Sequence, residues 1–233
     1  MIARHRLPTR IWHWVNAVAI FILIGSGIGI LQAHPRLYWG KDGANFDPAW
    51  ADLNQWPGWL TALLDAMTIP DRYSLAISRR WHLFFALVLA FGLLAFLLVS
   101  LVNRHLQRDL RLRAREFTPA ALAHEARAHW AFRFHDPARP AAYNGLQKAS
   151  YALVIFILLP LVIVTGIAMS PGMNAAWPWL LDVLGGRHSA RSLHFIAFAG
   201  ITLFTIVHLV LVILAGAWNE TRSMLIGKWR VPE

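Results

Sequence analysis

From Ser192 to Asn219 the chain reads SLHFIAFAGITLFTIVHLVLVILAGAWN, without one Asp, Glu, Lys or Arg. A hydrocarbon core takes about 20 helical residues to cross, so this stretch is expected to span a membrane as a helix. Three others share its character: Ile11 to Leu31, Trp81 to Asn103, and Ala149 to Ser170. The expected fold is all-α, an integral-membrane four-helix bundle, with residues 1–233 forming one transmembrane domain and spans at about 11–31, 81–103, 149–170 and 192–219. A fifth apolar stretch, Leu60 to Ile69, is too short to span and contains Asp65. Following Trp56, Pro57, Gly58 and Trp59, it is expected as an additional helix lying in the interface within the first periplasmic loop.

The composition agrees. Of 233 residues 57% are hydrophobic and 15% charged, with no cysteine and a formal net charge of +10. The hydrophobic fraction excludes a disordered chain, and the missing thiols exclude a disulfide scaffold, a zinc ribbon or an iron–sulfur protein. A nucleic-acid binder spreads its basic residues over a polar surface, whereas here they crowd into short intervals between long uncharged stretches, so no nucleic-acid partner is expected. The basic N-terminus before an apolar run resembles a secretory signal, but the run is too long and no clean small-residue cleavage site follows, so the first span is expected to be retained.

The positive charge has a direction. With four spans and both termini on one side, the first tail, the 104–148 loop and the last tail hold 15 of the 22 Lys and Arg, the other two loops seven, while the 12 acidic residues divide equally. The positive-inside rule then places both termini in the cytoplasm, with the protein multi-pass in the membrane. None of the 12 tryptophans falls mid-span; Trp12, Trp14, Trp81 and Trp218 sit at span ends, where amphipathic rings meet the headgroups. The 104–148 loop, with Arg104, Arg108, Arg111, Arg113 and Arg115, reads most simply as a solvated basic helix against anionic lipid.

Of the 11 histidines, seven (His5, His34, His105, His124, His129, His135 and His188) lie in loops or tails. His13, His82, His194 and His208 fall within spans, where an ionisable group is costly and marks a functional site. A single intramembrane histidine can be held by a hydrogen bond to a neighbouring helix, but these four have an arrangement. His194 and His208 are almost four turns apart on one helix face, roughly 21 Å along its axis. The first span runs outward and starts near His13; the second and fourth run inward and start near His82 and His194. The histidines therefore sort by depth into two pairs, His13 with His208 and His82 with His194.

Two imidazoles at one level, without carboxylate or thiol, suit the axial positions of haem iron better than zinc, which takes four ligands. Arg10, Arg79 and Arg191 each stand three residues before one of these histidines, on the aqueous side of the same face, where a guanidinium fork can hold a porphyrin propionate. Positive-inside and interface anchoring account for Arg10 equally well. Glycines at 25, 27, 29, 92, 166 and 200 give room for a flat macrocycle or, more commonly, for another helix. An iron held by two histidines has no open position, so it passes electrons and is poorly placed to activate oxygen.

This plan, with a histidine closing Arg10-Ile11-Trp12-His13, one at the second span's start, none in the third and two 14 apart in the fourth, resembles the bacterial di-haem cytochrome b561 family. That family includes the cytochrome b subunits of nickel–iron hydrogenases, formate dehydrogenases and thiosulfate reductases. The resemblance covers all four spans. It implies two haem b groups ligated by His13, His82, His194 and His208, and electron transfer between a periplasmic redox partner subunit, of dehydrogenase or molybdopterin oxidoreductase type, and membrane quinone. The absence of cysteine for covalent attachment agrees with haem b. By the same resemblance the quinone sits at the cytoplasmic level, near polar neighbours such as Arg10, Asn16, Asn103 or Lys148, though no motif marks the place. The 32–80 loop serves equally as a docking surface or as a lid over the outer haem. Two other functions stay open: a stand-alone superoxide oxidase passing electrons to quinone, drawing its anionic substrate to Arg79, Arg80, Arg187 and Arg191, and a haem-free transporter whose histidines relay protons. No catalytic residue is assigned under the preferred reading, in which the chain is the quinone-linked subunit of an oxidoreductase.

Overall fold

The computed structural model describes residues 1–44, 46–70, 74–131 and 143–230. Four helices are long and apolar enough to cross a membrane: Leu7–Ala33, Leu75–Val102, Gly145–Met169 and Arg187–Leu214. Each begins before its uncharged stretch does, because Arg10, Arg79 with Arg80, Lys148, and Arg187 with Arg191 lie within the helices themselves. The fourth ends at Leu214, short of the expected 219. Gly216 takes φ 105°, a conformation open to glycine, and a separate helix, Ala217–Ile226, starts after it.

The third long helix has a well-built start. Asn144 caps Gln147 N–H at 2.8 Å, and the Gln147 side chain accepts from Asn144 N–H at 3.3 Å. Glu125 accepts from the amides of Gly145 and Leu146 at 2.9 and 2.8 Å, adding a negative charge where the helix dipole is positive. Further along, Pro160 has no N–H to close a bond onto Phe156, and the chain widens to a π-helix over Val154–Leu158.

Between the second and third long helices the basic interval is not a single helix. A left-handed Arg104 (φ 54°) opens a short helix, His105–Asp109. A 3-10 turn at Ala114–Phe117 follows, and then the helix Pro119–Trp130. Arg104, Arg108, Arg111 and Arg113 are exposed. His135 and the rest of 132–142 lie outside the described residues, as do Asn45 and residues 71–73 of the first loop. The short apolar stretch forms a helix, Gly58–Met67, that exposes Trp59, Leu63 and Met67 at positions four apart, on one face.

The chain forms two compact units, each of which takes a segment of every long helix. The first comprises Met1–Val15, Gly92–Ile157 and Leu203–Glu233. It joins the two ends of the chain through a strand pair, Ile2 opposite Trp229 and Ala3 opposite Lys228. Arg4 donates to both carboxylate oxygens of Glu220, at 3.2 and 2.9 Å, and lies over the fully buried Trp229, whose indole N–H also reaches Glu220 at 2.9 Å. Lys148 pairs with Glu116 at 2.7 Å.

The second unit comprises Asn16–Phe91 and Leu158–Thr202. Here the segment after the first long helix folds back as strands Arg36–Leu37 and Ala51–Asp52, joined by an Arg36–Asp52 ion pair at 2.9 Å. It is fastened to the start of the fourth long helix by small polar side chains. Gly40 N–H donates to Ser189 Oγ at 2.7 Å, and Ser192 Oγ accepts the Trp50 indole N–H at 2.8 Å while donating to the Tyr38 carbonyl at 2.6 Å. A Cβ at Gly186 would meet the Gly40 carbonyl at 2.6 Å, so only glycine fits that approach.

Candidate functional site

In the first unit His13, from the first long helix, faces His208, from the fourth, with ring centroids 6.3 Å apart and planes at 62°. Phe204, one turn before His208, stacks on it at 5.8 Å. The His13 Nδ1 is buried and has no hydrogen-bond partner among the described residues. Arg10 and Trp14 both donate to the Met224 carbonyl at 3.2 Å, joining this end of the first helix to the C-terminal helix.

In the second unit His82, from the second long helix, faces His194, from the fourth, with centroids 6.1 Å apart and planes at 59°. Their Nδ1 atoms are occupied. His82 Nδ1 lies 3.1 Å from Ser26 Oγ, and His194 Nδ1 lies 2.9 Å from Thr165 Oγ1. Each hydroxyl also donates its one proton back along its helix, Ser26 to Ile22 O at 2.7 Å and Thr165 to Leu161 O at 2.6 Å. With those protons on the helix carbonyls, each hydroxyl oxygen accepts from the imidazole, an arrangement that goes with the Nδ1–H tautomer and leaves the Nε2 lone pairs for a metal.

The arginines stand nearby. Arg191 donates to the His34 carbonyl, and Arg79 is exposed. Burial first, then the charges of Arg191 and Arg79, hold the His34 imidazole below its ordinary titration range. A guanidinium has five N–H donors, so the single carbonyl bonds of Arg10 and Arg191 do not exhaust them. Lys148, considered for a quinone site, is paired with Glu116.

Among the described residues no group of three or more His, Cys, Asp or Glu side chains could hold a metal ion. Each site therefore offers two imidazoles and nothing else, a donor set that does not suit zinc and does suit the axial positions of haem iron. The spacing fits as well. Two metal–imidazole bonds of about 2 Å each, plus the two half-rings, separate centroids by about 6 Å, as in both pairs. A Cβ on Gly27 would lie 3.4 Å from His82 Cε1, and one on Gly166 3.4 Å from His194 Cε1, so the backbone comes close against each ring.

A family model described as prokaryotic cytochrome b561 matches residues 4–227. The chain belongs to the prokaryotic cytochrome b561 family. It is thus a membrane haem b protein of electron transport, and membership in this family sets aside the haem-free proton relay. Similar proteins include a putative protein-methionine-sulfoxide reductase subunit of Azospira oryzae, 26% identical over 215 residues, covering 88% of this chain and 87% of that one. Probable Ni/Fe-hydrogenase B-type cytochrome subunits of Cupriavidus necator and Azotobacter vinelandii are each 24% identical, covering 96% and 97% of this chain and 84% and 87% of theirs. No solved structure matches the chain.

Sequence reasoning passed over two residues of this family member's site, Ser26 and Thr165. Their signal was present: each is a hydroxyl inside an apolar span, followed directly by a glycine, Ser26-Gly27 and Thr165-Gly166.

Proposed function

We propose that the chain carries two haem b groups, one between His13 and His208 and one between His82 and His194, and passes electrons between a periplasmic redox subunit and membrane quinone. The observation that carries this reading is the recurrence of one arrangement: two separate imidazole pairs, with centroids 6.3 and 6.1 Å apart, built from helices long and apolar enough to cross a membrane. Haem b, held by these imidazoles, would supply a reversible one-electron change. The chain's own part is to hold four imidazoles in fixed orientation within spans whose buried aliphatic side chains, Ile28, Leu89, Leu93 and Leu159 among them, exclude water. Arg79 and Arg191 hold propionate carboxylates on the His82–His194 side, with Arg10 doing so beside His13. Quinone exchanges electrons on the His13–His208 side.

Both termini lie in the cytoplasm, since 15 of the 22 basic residues then face inward, and the membrane is the bacterial inner membrane. Helix Gly58–Met67 rests at the periplasmic surface with Trp59, Leu63 and Met67 turned to lipid. The relatives named as hydrogenase and sulfoxide-reductase subunits support association with a catalytic partner. The exposed Arg79 and Arg80, with Arg191 bonded to the His34 carbonyl, favour a second reading, in which an anion such as superoxide is the electron donor and no partner is needed.

Stopped-flow spectroscopy of the purified protein separates these readings. The expected result is haem reduction by a quinol analogue, slow or absent reduction by superoxide, and copurification of a periplasmic redox subunit from the native host. Rapid catalytic turnover of superoxide and quinone by the isolated chain would establish the second reading instead.

A further inference from the structure

The His82–His194 pair is backed twice by the same two-residue device on different helices. On the first long helix Ser26 Oγ lies at hydrogen-bond distance from His82 Nδ1, 3.1 Å, and Gly27 lets the backbone lie against the ring edge. On the third, Thr165 Oγ1 lies at hydrogen-bond distance from His194 Nδ1, 2.9 Å, and Gly166 does the same as Gly27. Both hydroxyl residues are fully buried. Each is oriented by donating to a carbonyl of its own helix, which also makes its oxygen a better acceptor. His13 lacks any such support, since its Nδ1 has no partner among the described residues.

We infer that Ser26 and Thr165 are positioning residues of the haem centre assigned above to His82 and His194, fixing both rings as Nδ1–H tautomers with Nε2 toward the iron and holding this centre's reduction potential down. The inference rests on that ligand assignment. A hydrogen bond accepted from Nδ1–H fixes tautomer and ring orientation and raises the basicity of the coordinating nitrogen. A more basic pair of imidazoles stabilises the ferric over the ferrous state. The unsupported His13 ring receives no such push, so the hydroxyls also separate the potentials of the two centres.

The test compares wild type with Ser26→Ala, Thr165→Ala and the hydroxyl-keeping swaps Ser26→Thr and Thr165→Ser. Haem content is read by pyridine haemochrome, and an equilibrium redox titration is followed in the visible spectrum and by electron paramagnetic resonance of the ferric state. The alanine variants are expected to keep two haems, to shift the same one of two transitions to more positive potential, and to leave the other in place. The swaps retain the wild-type potentials. Loss of one haem in an alanine variant but not in the matching swap also supports the inference. Unmoved transitions in both alanine variants, or swaps that behave like alanine, overturn it. Failure of the underlying assignment shows separately, as fewer than two haems in the wild type or two retained in His82→Ala.

Discussion

Trp50 donates its indole N–H to the hydroxyl of Ser192 at 2.8 Å, two residues before His194 on the fourth long helix. Ser192 is fully buried and passes its own proton to the Tyr38 carbonyl, so one small side chain joins three parts of the second unit. Ser192→Ala leaves an indole N–H and a carbonyl without this partner and is expected to cost about 1–3 kcal/mol. Trp50→Phe keeps most of the ring and loses one bond, so its cost is smaller. Thermal unfolding in detergent measures both, and faster amide exchange over residues 36–53 locates the loosened part.

At Gly27 and Gly166 the free space toward each imidazole is one Cβ at 3.4 Å. Alanine fits there with little movement, but valine adds two methyl groups against a ring and overpacks it, at about 1–3 kcal/mol. Gly27→Val and Gly166→Val are both expected to lower haem content or alter the low-spin spectrum of one and the same centre. The matching alanine variants stay close to wild type.

Arg4 and Glu220, with side chains 7% and 15% exposed, form a largely buried pair, with Arg4 lying over the Trp229 ring. Truncating either partner breaks this largely buried ion pair and is expected to cost about 3–5 kcal/mol. Arg4→Ala should also release the strand pairing of Ile2 with Trp229, read as increased proteolytic trimming at both termini.

Burial pushes the Glu116 carboxyl up, but the hydrogen bond from Lys148, the Arg113 amide, and the charges of Lys148 and Arg113 outweigh it and set the group below its ordinary range. A carboxyl lowered on folding contributes stability that is complete above its unfolded pKa, about 4.3 for glutamate, and is lost as pH falls through the folded value. Unfolding midpoints taken from about pH 7 to about pH 3 should therefore show wild type above Glu116→Gln at neutral pH and the two converging in acid.

The four long helices and the positions of their histidines were legible because both depend on local composition: charge-free runs mark the spans, and a histidine inside one stands out. Helix ends were less so. Arg79, Arg80 and Arg187 lie inside helices whose uncharged portions begin later, and Gly216 ends a helix within a stretch that stays apolar to Trp218. The fastening of residues 34–56 through Gly40–Ser189 and Trp50–Ser192 joins positions far apart in sequence through small polar groups, which leave no periodic trace. Ser26 and Thr165 were hidden for a related reason. A hydroxyl in a spanning helix ordinarily satisfies itself on its own backbone, and only the facing imidazole shows that it does more.

The central claim is that His13 and His208 hold one haem b and His82 and His194 another. Haem-to-protein ratios of the wild type and of the four single alanine variants, each with its redox titration, test it most directly. The account predicts two haems and two transitions in the wild type, and one haem in every variant. His13→Ala and His208→Ala should keep one transition, and His82→Ala and His194→Ala the other. A wild type with a single haem, or loss of the same transition in His13→Ala and His82→Ala, would contradict it.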